Sequence, residues 1–198
     1  MLGLEAARGL QVQGCEVTVV HLMDRLMERQ LDLTGGGYLK SKMECLGMKV
    51  LLEKNTTAIL GMGKVEGLAF KDGTSLDAEI VVIAAGIRPN VELGRKAGLQ
   101  VNRAIVVNDF METSHQDIFA VGECVEHDGT CYGLVAPLLE QGKVLAATIS
   151  GNKGPRYEGS ITAAKLKIMG VDVFSAGDFS ESAPGTDVVR YEDAALGV

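Results

Sequence analysis

The sequence predicts an α/β fold built on short parallel strands, and three observations carry that expectation. Helical and strand periodicities alternate along the first half of the chain, and the strands are brief β-branched runs without polar alternation. Glycine, the compositional outlier at 25 of 198 residues, stands where apolar runs end, which marks tight strand–helix turns rather than a repeat.

Residues 4–13 carry Leu4, Ala7 and Leu10 on one helical face and stop at Gly14. The run EVTVV at 16–20 follows as a buried strand and ends at His21. Leu39, Met43 and Leu46 recur at i, i+4 and i+7, so 38–46 is an amphipathic helix stopped by Gly47, and 49–52 is the next strand. Residues 57–60, 65–70 and the Asp72–Gly73 turn form a small antiparallel meander, leading into a further strand at 80–85 closed by Gly86. This order matches the second part of a Rossmann-like dinucleotide-binding domain. Such a domain opens with a strand, then GxGxxG, then a helix. Here Met1, Leu2 and Gly3 stand at the last glycine of that motif, so the domain is expected to be N-terminally truncated and the chain a fragment.

Beyond Gly86, a helix at 92–97 stops at Gly98, strands are expected at 105–107 and 118–121, and Pro137 opens a helix that runs to 149. GNKGP at 151–155 reads as a linker, after which 162–169 and 171–174 begin another unit.

Acidic residues outnumber basic ones, 26 to 19, and no basic run could neutralise a phosphate backbone, so no nucleic-acid partner is expected. The longest apolar stretch, 80–87, is far short of the roughly 20 residues that span a bilayer, and the N-terminus lacks a signal-peptide pattern. A cytoplasmic location without membrane contact is expected. Cys15, Cys45, Cys124 and Cys131 form no CxxC pair and read as reduced thiols acting as small core residues; no metal site is expected.

In IFAVGE at 118–123, a buried strand delivers Gly122 and Glu123 to its C-terminal edge. There a glycine lets backbone approach a ligand, and a carboxylate accepts hydrogen bonds from sugar-type hydroxyls. Taken alone, the string also reads as an ordinary turn with a solvated glutamate. His21 stands where this fold usually sets an acidic residue on the ribose 2′-hydroxyl of NAD. An imidazole can accept one hydrogen bond when neutral or face a 2′-phosphate when protonated; a solvated strand-end histidine is the equal alternative. Gly35, Gly36 and Gly37 follow no strand and read as a helix-entry loop, not a phosphate cradle.

Taken together, AAGIRPN at 84–90, AGL at 97–99, IVVN at 105–108, TS at 113–114, DIFAVGEC at 117–124 and YGLVAP at 132–137 resemble the pyridine nucleotide–disulfide oxidoreductase superfamily. LMERQLD at 26–32, the glycine pair at 35–36 and KLKIMGVDV at 165–173 resemble its siroheme nitrite reductase branch, in the NAD(P)H-accepting large subunit. The resemblance covers nearly the whole chain.

It implies a two-dinucleotide-binding flavoprotein fold using FAD and NAD(P)H. Residues 1–84 would be an NAD(P)H-binding domain lacking its first strand, 85–152 the second half of an FAD-binding domain, and 153–198 the start of an incomplete C-terminal domain. Gly3 and Glu5 would belong to the turn and first helix of the NAD(P)H domain, with His21 at its ribose edge and Gly86 at the crossing into the FAD domain. Glu123, after Gly122, falls where most of the superfamily has an Asp holding the FAD ribityl chain; the siroheme branch tends to use Glu. Leu134, Val135, Ala136 and Pro137 would lead into a helix whose positive end stabilises reduced flavin. The implied activity passes hydride from NAD(P)H to flavin and then single electrons to siroheme and iron–sulfur centres outside this chain. The implied partners are a nicotinamide dinucleotide, the missing FAD-domain half and a metal-containing domain or subunit. A rubredoxin- or ferredoxin-type reductase and an inactive fragment stand as alternatives. The final acceptor, the choice between NADH and NADPH, and homodimer formation stay open.

Overall fold

The computed structural model describes residues 1–151, 154, 156–168, 170–177, 187 and 189–193. Part of the linker expected at 151–155, Met169, and most of the chain beyond Gly177 lie outside the described residues. The chain divides into two compact units, Met1–Ala85 with Ala163–Val198, and Gly86–Thr162.

In the first unit, α1 (Leu2–Val12) buries Leu4 and Ala7, and β1 (Thr18–Val20) pairs in parallel with β2 (Lys49–Leu51). Parallel neighbours need a crossover, and α2 (Leu33–Cys45) supplies it, laying Leu39 and Met43 into a core with Leu26, Met48 and Val50. α2 starts earlier than the expected residue 38 because Asp32 caps it: the carboxylate accepts a hydrogen bond from Gly35 N–H at 2.7 Å, drawing the glycine run into the first turn. β3 (Thr56–Leu60), β4 (Gly67–Phe70) and β5 (Ser75–Asp77) form the antiparallel meander.

The run at 80–85, expected as a strand, is chain without a sheet partner among the described residues, and Ile80, Val82 and Ile83 are exposed. β-branching supplies propensity, but only pairing makes a strand. The hairpin of β8 (Ala163–Ile168) and β9 (Val171–Ala176) sends Leu166 and Val171 into the same core as Leu4 and Met43. A two-stranded hairpin is marginal alone. It is grouped with the first unit.

The second unit contains α3 (Glu92–Lys96), the parallel pair β6 (Ile105–Val107) and β7 (Val125–His127), and α4 (Val135–Ile149). Val107, Met111, Val125, Val144 and Tyr157 form its larger core. The strand expected at 118–121 gives way to β7, because neighbouring loop backbone takes up its polar groups. Ala120 N–H donates to the Met111 carbonyl at 3.2 Å, and the Ile118 carbonyl accepts from Thr113 N–H at 3.1 Å. The cysteines are also less buried than expected: Cys15 and Cys45 are exposed, Cys124 and Cys131 half-buried.

Buried Glu126 clamps the loop before β6. It accepts from Asn102 Nδ2 at 3.0 Å, Arg103 N–H at 3.1 Å and Ala104 N–H at 3.3 Å. The Asn102 hydrogen bond first, then the two backbone N–H groups, hold its carboxyl below the usual carboxylate range in spite of burial. A folded-state pKa below the unfolded one means that the stabilisation is present above the unfolded value and is lost as pH falls through the folded one. Glu126→Ala should therefore cost about 2 kcal/mol at neutral pH, where buried donors lose their acceptor. Urea denaturation should show the gap to wild type narrowing as pH drops below about 4.

Candidate functional site

In the second unit three segments converge on Glu123. A Cβ placed on Gly133 would lie 3.4 Å from Ile87 Cδ1 and 3.6 Å from Glu123 Oε1, so the residue after Gly86, the Gly122–Glu123 turn and the approach to α4 are neighbours. Gly122 has φ +104° and open space where a side chain would stand, so its role is to turn the backbone through a region that L-residues rarely adopt. Its carbonyl accepts from Val125 N–H at 3.2 Å, and its N–H donates to Gln141 Oε1 at 3.2 Å. The turn therefore rests on helix α4 and leaves the Glu123 carboxylate exposed. Gly86 likewise sits at φ +91° with nothing crowding it.

Leu134 is extended, with φ −115° and ψ 146°, and makes no side-chain cap. α4 starts at Val135, before the Pro137 expected to open it; Pro137 stands in the first turn, where a missing N–H costs nothing. The N–H groups of Val135 and Ala136 thus open the positive end of a 15-residue helix beside an exposed carboxylate-bearing turn.

In the first unit, Gly3 lies in the first turn of α1, where a Cβ would come within 3.0 Å of Ala84 Cβ. That close approach of helix and extended chain favours glycine. Glu5 occupies the same turn. His21 follows β1, with its N–H on the Leu51 carbonyl at 2.8 Å and its carbonyl accepting from Lys54 N–H at 3.0 Å. Its ring is not simply solvated, because Nε2 lies 3.2 Å from Glu28 Oε2. The glycine run lies within α2, where Gly36 admits Arg25: a Cβ there would come within 2.8 Å of Arg25 Cβ.

Two residues escaped the sequence reading. Gln141 is fully buried in line with Pro137 and Val144, and its signal was a polar residue at i+4 on the apolar face of a helix. Glu28 lies seven positions from His21, a spacing that no regular element predicts.

This is an α/β layout that sets a glycine–carboxylate turn against an open helix end, as a nucleotide-binding fold does. The sequence profile of the family described as pyridine nucleotide-disulphide oxidoreductase matches residues 1–151, and the chain belongs to that family. It is 58% identical over 92% of its length to a nitrite reductase [NAD(P)H] of Bacillus subtilis (strain 168), and 51% identical over 98% to an assimilatory nitrate reductase electron transfer subunit of the same organism. It covers 23% and 25% of those two proteins, about a quarter of each. Among solved structures, an NAD-dependent persulfide reductase from A. fulgidus superposes with a TM-score of 0.82 at 32% identity, over 88% of this chain and 34% of that one.

The family uses FAD and NAD(P)H, and the residues of the second unit fit the FAD. Gly122 offers backbone that no side chain screens, Glu123 an exposed acceptor for hydroxyls, and α4 an uncapped positive end. Gly122→Ala should strain the turn by about 1–3 kcal/mol. Thermal unfolding should show a lowered midpoint, and a melting curve equal to wild type would mean that the turn relaxes freely.

Proposed function

We propose that this chain is the electron-input part of an NAD(P)H-dependent siroheme nitrite reductase. Residues 1–84 would serve the nicotinamide nucleotide and 85–152 would complete an FAD site. The observation that carries this reading is the convergence of Ile87, Glu123 and Gly133 at the open end of α4, in a chain so similar to the Bacillus nitrite reductase.

In this reading Glu123 would accept hydrogen bonds from the ribityl hydroxyls, and Gly122, without a side chain, would let the backbone approach the flavin. Residues 134–137 present the helix end to the pyrimidine side, where its partial positive charge favours the electron-rich flavin. Gln141 positions the turn from beneath. Gly86 is assigned to the crossing between nucleotide and flavin, and Gly3, Glu5 and His21 to the nucleotide itself. When bound, FAD supplies the step from two-electron to one-electron chemistry. Siroheme and the iron–sulfur cluster belong to a domain or subunit beyond these residues, and the assembly would work in the cytoplasm.

The test is a chimera in which this chain replaces the matching quarter of the Bacillus subtilis nitrite reductase. It should form ammonium from nitrite with NAD(P)H, and Glu123→Ala should release flavin during gel filtration. The 198-residue chain alone should form no ammonium. A chimera that retains FAD and reduces ferricyanide but leaves nitrite untouched would assign the chain to another electron acceptor.

A further inference from the structure

The segment between β1 and α2 delivers a carboxylate to the nucleotide edge of the first unit. Residues 21–31 form turns rather than a regular element, yet they are anchored, because Leu26 and Met27 are buried in the core. Met27 holds φ +54°, a left-handed conformation that a residue other than glycine keeps only when its surroundings impose it. The next residue, Glu28, is thereby turned back onto His21, where its Oε2 lies 3.2 Å from the imidazole Nε2. No hydrogen bond occupies Oε1 among the described residues, and the side chain is partly exposed, at 28%.

The backbone of His21 is itself stapled to the end of β2 through Leu51 and Lys54. The carboxylate is thus fixed at the C-terminal edge of the β1–β2 pair. In open α/β sheets that edge faces the ligand, and an acidic group there takes the ribose 2′-hydroxyl of NAD.

We propose that Glu28 is the specificity-determining residue that makes this unit select NADH over NADPH, standing in for the strand-end carboxylate that His21 replaces. This rests on the reading of the first unit as nucleotide-binding. A free carboxylate oxygen accepts the ribose hydroxyl of NADH, whereas the 2′-phosphate of NADPH would meet like charge.

Two of the neighbouring cations are committed to other partners. Arg25 is committed to Asp24 at 2.9 Å and to the Leu31 carbonyl at 3.1 Å, and Lys54 Nζ to Asp72 at 2.5 Å and Thr74 at 3.0 Å. Arg29 is exposed on the same segment and is the cation through which NADPH could still gain a hold.

The experiment titrates NADH and NADPH onto the chimera in which this chain replaces the matching quarter of the Bacillus subtilis nitrite reductase, wild type against Glu28→Gln, Glu28→Ala and Arg29→Ala, with thermal unfolding to confirm that each variant is folded. Wild type should prefer NADH, and both Glu28 variants should lower the NADH-to-NADPH affinity ratio by roughly tenfold to a hundredfold, the range of one charged hydrogen bond. Arg29→Ala should leave the ratio in place. A wild-type preference for NADH that folded Glu28 variants retain overturns the role of Glu28 alone. A wild-type preference for NADPH that Arg29→Ala abolishes overturns it in favour of Arg29. A wild type that binds neither nucleotide overturns the nucleotide-binding reading of this unit, and the proposal with it.

Discussion

Parallel pairing is the constraint on which the rest of each unit depends. Strands that run the same way cannot be joined by a tight turn, so each pair needs a long connection that crosses over and is then anchored by burial. Between β1 and β2 that connection is the 21–31 segment with α2, anchored by Leu26, Met27, Leu39 and Met43. Between β6 and β7 it is largely irregular chain, anchored by Met111. The same arrangement gathers the C-terminal ends of both strands at one edge, which is why His21 meets the end of β2.

Irregular chain needs polar anchors, since loop N–H and C=O groups find no ladder. The buried polar side chains described are Glu126, His127 and Gln141; all three lie in the second unit, and each holds a loop. Glu126 binds 102–104, His127 Nε2 pairs with Asp109 Oδ1 at 3.0 Å, and Gln141 takes the Gly122 N–H. Asp109 is held a second time, through its carbonyl, by Tyr157 N–H at 2.9 Å. The first connection needs fewer such clamps, since α2 satisfies most of its own backbone and the 21–31 segment is held by Arg25 on the Leu31 carbonyl.

Legibility followed this division. The apolar faces of α1 and α2, the strands β1, β2 and β6, and the meander could be read from periodicity, because the side chains that reveal them are those that make them. The strands at 80–85 and 118–121 could not. Their composition is strand-like, but their outcome depends on a partner strand or a competing loop. Glycine and carboxylate at Gly122 and Glu123 were legible as a turn with an exposed acid. Gln141 beneath them and Glu28 beside His21 were not, because both act across a tertiary contact that no local period encodes.

The two candidate sites therefore share one device in different materials. Each sets a carboxylate just past a residue of positive φ, Gly122 before Glu123 and Met27 before Glu28, so the backbone rather than a network of side chains aims the acid. At Gly122 the conformation is nearly free, since glycine tolerates it, and the turn is held by the hydrogen bonds to Gln141 and Val125. At Met27 the same kind of turn opposes the intrinsic preference of the residue, and the burial of its side chain in the core has to impose it. Packing around Met27 and the position of the Glu28 carboxylate are therefore coupled: what loosens the core there also loosens the acid.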